Sequence, residues 1–215
     1  MFDLQNKEVL LDLHYLPSVE YFAAIIQSEK LLIEAQENFS KQTYRNRCRI
    51  LTSQGVRDLT IPMVAGNKRH HIQKILLDDR QQWRKIHWRS IKTAYGKAPF
   101  FEHYIDFLEP VFFGEQTTLF EFNLSLLKVL FKLLGIKKEI SLTDEYAKYS
   151  DSDKIIDMRD RLQPKVDYDK NGILVPFPYP QLFGNEFVSN LSVLDLLFCE
   201  GPNARNVIQQ SVKCK

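Results

Sequence analysis

The stretch VLLDLHYLPSVEYFAAIIQSEKLLIEA, Val9–Ala35, decides the fold. Val9–Leu13 is an apolar run interrupted by Asp12, of the length of a buried strand. His14, Tyr15, Leu16 and Pro17 close it. Ser18 stands where a helix cap belongs, with Tyr21 three residues on, and Val19, Phe22, Ala23 and Ile26 recur at helical spacing. Leu31–Ala35 is a second apolar run. Strand, helix and strand joined by short links make a βαβ unit, which sets its two strands side by side and parallel. Ligands of open α/β sheets bind beyond the carboxyl ends of the strands. That rule puts His14 and Tyr15 at a cleft edge, with Glu34 and Gln36 beside them after the second strand.

The next stretch, FSKQTYRNRCRI at Phe39–Ile50, carries Lys41, Arg45, Arg47 and Arg49 and no acid. Thr43, Tyr44, Cys48 and Ile50 favour an extended backbone. Strand alternation then sends Arg45, Arg47 and Arg49 to one face and Tyr44, Asn46, Cys48 and Ile50 to the other. Three guanidiniums in a row need water, acidic partners or an anionic ligand, and their forks match phosphate bidentately. A salt-bridged strand face and an anion site both satisfy this pattern. Gln54-Gly55 reads as a turn and Leu59–Val64 as the returning strand of a hairpin, with Pro62 marking an edge. Gly66–His71 is a basic loop whose His70 and His71 lack a third metal ligand at a diagnostic spacing. Ile72–Leu77 alternates like one more strand.

From Trp83 the period becomes helical. Trp83, His87, Ile91 and Tyr95 fall on one stripe, so His87 is either a hydrogen-bonded core residue or an acid–base group facing the cleft. Gly96 ends that helix and Pro99 opens an aromatic one. Leu119–Leu134 reads as the longest helix, stopped by Gly135. Tyr149–Asn171 is charged and reads as a surface loop or a lid. Ser192 precedes Asp195 by three residues, in the spacing of a capping box. The predicted architecture is α/β: a single domain over residues 1–215, with a small mixed sheet (the βαβ start plus the hairpin) packed by helices.

Composition narrows the class. The 215 residues and 44% hydrophobic content suit one substantial core. The formal net charge of +2 argues against a nucleic-acid partner by bulk charge. Cys48, Cys199 and Cys214 are scattered, which fits a reducing compartment and no zinc site. Cys48 reads as a packed core thiol. There is no signal-like N-terminus and no apolar run long enough for a membrane span, so the expectation is a soluble, cytoplasmic protein. Glycine motifs for phosphate loops, dinucleotides and nucleophile elbows are missing, and no cofactor is implied.

The ordered pieces resemble the WbqC-like protein family over nearly the whole chain. They are YLPSVEYF at Tyr15–Phe22, KQTYRNR at Lys41–Arg47, LTIP at Leu59–Pro62, then Trp83, His87 and Tyr95 leading into KAPFF at Lys97–Phe101. Asp157, Arg159, Pro164 and Lys165 follow a D-x-R…P-K pattern. Tyr179, Gln181 and Phe183 precede NLSVLDLLFCEGP at Asn190–Pro202. The sequence departs from many members at Glu34-Ala35-Gln36, where they carry an acidic pair, and at His14, where they carry Gln or another residue.

The resemblance implies a place among gene products for O-antigen and related bacterial surface polysaccharides, with an acyl or glycine-type aminoacyl transfer onto a nucleotide-linked sugar. Under that reading Lys41, Arg47 and Arg49 hold phosphates of a small anionic substrate. His14 or His87 deprotonates the acceptor, and Asp195 orients a histidine or holds a sugar hydroxyl. Tyr15, Tyr44, Asn46, Asp157, Arg159, Lys165, Gln181 and Asn190 complete the candidate binding set; no residue is assigned to a metal. Two other classes compete. A glycosyltransferase would use the same polyanionic donor, although Asp151-Ser152-Asp153 sits in a charged loop instead of a sheet context. A non-catalytic module could hold a nucleotide or RNA through arginine and tyrosine.

Overall fold

The computed structural model describes residues 4–64, 70–149 and 154–213. Most of the Gly66–His71 loop, Asp151-Ser152-Asp153 and Cys214 lie outside them. Among the described residues four parallel strands form the main sheet in the order β5-β2-β1-β6. They are β1 (Glu8–Leu11), β2 (Lys30–Ile33), β5 (Ile140–Leu142) and β6 (Ile155–Asp157). Val9 lies opposite Leu31 on one side and Ile156 on the other. The central strand, flanked on both sides, is buried from Val9 onward, as its unbroken apolar run requires.

The crossover between β1 and β2 is α1 (Val19–Gln27), so the βαβ unit is present as read. Ser18 does not cap α1 with its side chain. Instead the loop before α1 bonds to the loop that precedes the helix at Val193–Glu200: Val19 N–H donates to Leu191 O at 3.0 Å, and Val193 N–H to Pro17 O at 2.8 Å. At the other end of α1, Lys138 Nζ donates to the Ile25 and Ser28 carbonyls.

The hairpin, β3 (Arg47–Thr52) and β4 (Gly55–Thr60), forms a separate two-stranded antiparallel sheet. The extended reading begins too early. Residues before Arg47 turn, with Gln42 at φ 61°, and Arg45 leaves the arginine row for the interior. β4 ends at Thr60, so Pro62 lies beyond the ladder, where its missing N–H costs nothing. Ile72–Leu77 is not a strand: a 3₁₀ turn at Ile72–Lys74 is followed by single bridges from Leu76 to Thr118 and Leu77 to Met63.

The helices follow as α2 (Trp83–Tyr95), α3 (Phe101–Phe112), α4 (Leu119–Leu133), α5 (Val193–Glu200) and α6 (Ala204–Gln210). Thr118 and Glu121 make a reciprocal capping box on α4. No such box forms on α5. Ser192 Oγ accepts from Leu194 N–H at 3.4 Å, while the Asp195 carboxyl turns to other partners. Gly201 ends α5 at φ 55°, with its Cα against the Phe100 ring, where an added Cβ would sit 2.4 Å from the ring. One continuous cluster of buried side chains runs from β1 to α6. No helix among the described residues is long and apolar enough to cross a membrane.

Candidate functional site

The residues just beyond β1, β2 and β6 carry charge into the interior, where the carboxyl-end rule predicts a site. Asp12 and His14 are fully buried, and His14 Nε2 stands 2.9 Å from Asp12 Oδ2. Burial pushes the Asp12 carboxyl up, but Arg45 and His14 outweigh it and hold it well below the usual carboxylate range. A carboxylate only accepts, so Nε2 carries the proton of this bond. In the neutral ring Nδ1 is then a bare lone pair, and it has no partner among the described residues.

Arg45 stands behind this pair. Its Nη1 lies 3.1 Å from Asp12 Oδ2 and 2.9 Å from Asp160 Oδ1, and its Nε donates to Glu37 Oε1 at 2.7 Å. At 1% exposure this guanidinium is a structural counter-ion, not a free anion receptor. Asp160 N–H also donates to Asp12 Oδ1 at 3.1 Å, so the segment after β6 closes over the strand end. Three carboxyls around one guanidinium leave two acids in excess. Burial, with Asp12 and Asp160, raises Glu37 to about 7 against the pull of Arg45.

A second pair lies beyond β2. Arg159 Nη1 donates to buried Glu34 Oε2 at 2.5 Å and Nε to Asp157 Oδ1 at 3.0 Å, while Thr143 Oγ1 donates to Glu34 Oε1 at 2.7 Å. The Tyr146 ring lies 4.4 Å from this guanidinium. Glu34 and Glu37 thus each hold an arginine, so a second carboxylate does follow β2, three residues after the first.

The rim is cationic. The Tyr44 ring lies 5.5 Å from the His14 ring. Arg49 Nη2 donates to Pro164 O at 2.7 Å, and Lys165 Nζ to Gln42 Oε1 at 3.2 Å. Arg47 and Arg49 share one hairpin face, as alternation requires, and both approach Asp58, at 3.2 and 3.7 Å. Two guanidiniums on one carboxylate leave net positive charge at a partly exposed surface. Lys41 is exposed nearby in sequence.

Glu20, in the first turn of α1, joins this region from below. Its Oε1 accepts from Asn171 Nδ2 at 2.8 Å and its Oε2 from Asn190 Nδ2 at 3.2 Å, while its own N–H donates to Asn190 Oδ1 at 3.0 Å. Burial raises its carboxyl to about 7, beyond what the two amides offset. A carboxyl whose folded pKa lies above its unfolded value binds its proton more tightly when folded. It therefore stabilises the fold below about pH 4.5, and that contribution is lost as pH rises through about 7. Urea titrations of wild type should show stability falling from pH 5 to pH 8. Glu20→Gln should flatten that fall by about 2 kcal/mol; an unchanged slope would show that Glu20 titrates normally.

Other candidates fall elsewhere. Tyr15 is fully buried, and its hydroxyl meets His87 Nδ1 at 2.9 Å. Burial drives His87 down to about 4, so it is neutral at pH 7 and stands as a hydrogen-bonded core residue. Asp195 Oδ2 accepts from Tyr179 Oη at 2.7 Å and Gln181 Nε2 at 2.9 Å, a separate buried group. Asn46 Nδ2 donates to Ile61 O at 3.1 Å and ties the hairpin exit. Cys48 is buried, and burial raises its thiol well above the usual range. Asp12, Glu20, Glu37 and Asp160 were not singled out from sequence. The available signal was Asp12 itself, an acid inside an apolar strand, which must be paired.

The fold and site define an α/β protein with ion pairs gathered beyond the carboxyl ends of a parallel sheet. The chain belongs to the WbqC-like protein family, whose model matches residues 13–168 and 165–207. It is similar to a protein of Mycobacterium tuberculosis (strain ATCC 25618 / H37Rv) named "Uncharacterized protein Rv1507c", at 29% identity over 230 residues, 95% of this chain and 98% of that relative. No solved structure matches.

Proposed function

We propose that this chain is an acyl or aminoacyl transferase, acting in the cytoplasm on a nucleotide-linked sugar for a bacterial surface polysaccharide. The observation that carries the reading is the Asp12–His14 pair, with Nδ1 unpartnered inside the protein and the cationic rim of Arg49 and Lys165 beyond Tyr44. Asp12 fixes the ring and favours the tautomer in which Nδ1 accepts. The amino or hydroxyl group of the acceptor gives its proton to Nδ1 as it attacks the activated acyl carbonyl. The imidazolium returns that proton to the departing group, so His14 ends as it began. Asp12 stabilises the imidazolium in between. Arg47, Arg49, Lys41 and Lys165 hold the nucleotide's phosphates, and the turn after β6 acts as the lid through Asp160. The base is His14 in preference to His87, whose Nδ1 is occupied by Tyr15 and whose affinity for a proton is too low.

The test mixes purified protein with nucleotide sugars and activated acyl or aminoacyl donors and follows acceptor mass. A gain equal to the acyl group supports the reading. Transfer of the sugar itself, dependent on manganese, would replace it with a glycosyltransferase; no product across a broad panel would overturn it.

A further inference from the structure

On the far side of the hairpin lies a groove that the proposed reaction does not use. Its volume is about 620 Å³, within the range of small-ligand sites, and it runs between the hairpin tip and α2. Arg57 enters it from β4 and Arg89 from α2. Asp58, which balances Arg47 and Arg49, is the next residue after Arg57 and so belongs to the opposite face of the strand. Neither Arg57 nor Arg89 has an ion-pair partner among the described residues, and no carboxylate lines the groove. Exposed Val56 and Ile86, at 49% and 51%, and Phe183 provide apolar walls, while Ser53 and Thr93 offer hydroxyls.

The surrounding field has the same sign. Helix α2 carries Arg84, Lys85, Arg89 and Lys92 and no acid. A neighbouring hollow of about 470 Å³ shares Arg89 and Thr93 and adds Lys85, Lys92, Trp88 and Phe113. Two unpaired guanidiniums facing a concave space with apolar walls are what a phosphorylated ring compound needs. The guanidinium forks take the phosphate oxygens, the hydroxyls take a sugar, and the apolar side chains cover the ring. A purely hydrophobic ligand would leave both cations without counter-charge, and a flat anionic surface would not fill the concavity.

We infer that the groove between the hairpin tip and α2 is a second binding site, for a nucleoside diphosphate, held by Arg57 and Arg89. It is independent of the chemistry assigned to His14. The Arg57 charge helps to depress His87, after burial, so an anion bound at Arg57 relieves that effect and moves the His87 titration upward.

The experiment uses the full chain carrying Arg49→Ala, which weakens the other candidate phosphate site. ADP and UDP are titrated by calorimetry, with uridine and inorganic pyrophosphate for comparison. Both diphosphates should bind, uridine at least tenfold more weakly. Adding Arg57→Ala or Arg89→Ala should weaken ADP at least tenfold. In spectra of the Arg49→Ala protein, saturating ADP should raise the His87 titration midpoint. Failure of ADP and UDP to bind, or binding indifferent to both arginines, overturns the site. So does binding to phosphatidylglycerol vesicles with none to ADP or UDP, which would make the face a membrane contact. None of these results bears on acyl transfer, which is read with Arg49 intact.

Discussion

Replacing Arg45 with methionine should lower stability at pH 8 by about 3–5 kcal/mol, read as a fall in the urea midpoint with little change in slope. The substitution keeps most of the side-chain volume and removes one charge, so the loss is electrostatic. Asp12 at 0% and Glu37 at 5% exposure would be left as buried acids without their guanidinium, the circumstance in which breaking an ion pair is most costly. The effect should be smaller at pH 5. Glu37 is raised to about 7 and takes up a proton there, which removes one of the stranded charges. Arg47→Met provides the contrast. Arg47 meets Asp58 at a half-exposed surface, where such pairs contribute about 0–1 kcal/mol. Equal losses for the two variants would mean that Arg45 is not the counter-ion described here.

His14→Gln should lower turnover in the acyl-transfer assay by about 10²–10⁴-fold, the range a general base supplies. The KM for the acceptor should barely move. The glutamine amide still donates to Asp12, so folding should survive, and circular dichroism with urea titration checks that it has. A loss of turnover with wild-type KM and a retained fold identifies the base. Full turnover in the variant would assign proton removal elsewhere. Proportional loss of stability and activity would reduce His14 to a packing residue.

How much of this was legible varies with how local the cause is. The βαβ start could be read because an apolar run, a helical period and a second apolar run each leave a signature within a few residues. The carboxyl-end rule then pointed to His14 and Glu34, but also to Tyr15, which packs in the core against His87, and it passed over Asp12. β5 and β6 could not be read, since each is three residues long and exists only because it pairs with β2 or β1. β6 accordingly lay hidden inside a segment that looked like a charged loop. The arginine row misled for a related reason. Alternation is a property of strands, and the strand begins at Arg47, so the rule held for Arg47 and Arg49 and failed for Arg45. What drew Arg45 inward was the company of Asp12, Glu37 and Asp160, three acids dispersed along the chain.

The pairing of β6 with β1 also constrains when the molecule can be finished. During synthesis β1 leaves the ribosome long before Ile155, and β2, the hairpin, α1 to α4 and β5 lie between them in the chain. One flank of β1 therefore stays open, and Arg45 lacks its third acid, until the chain has been made past Asp160. Contacts of such wide separation form slowly. The nascent polypeptide should therefore be most vulnerable to proteases and to pairing with other copies in that interval.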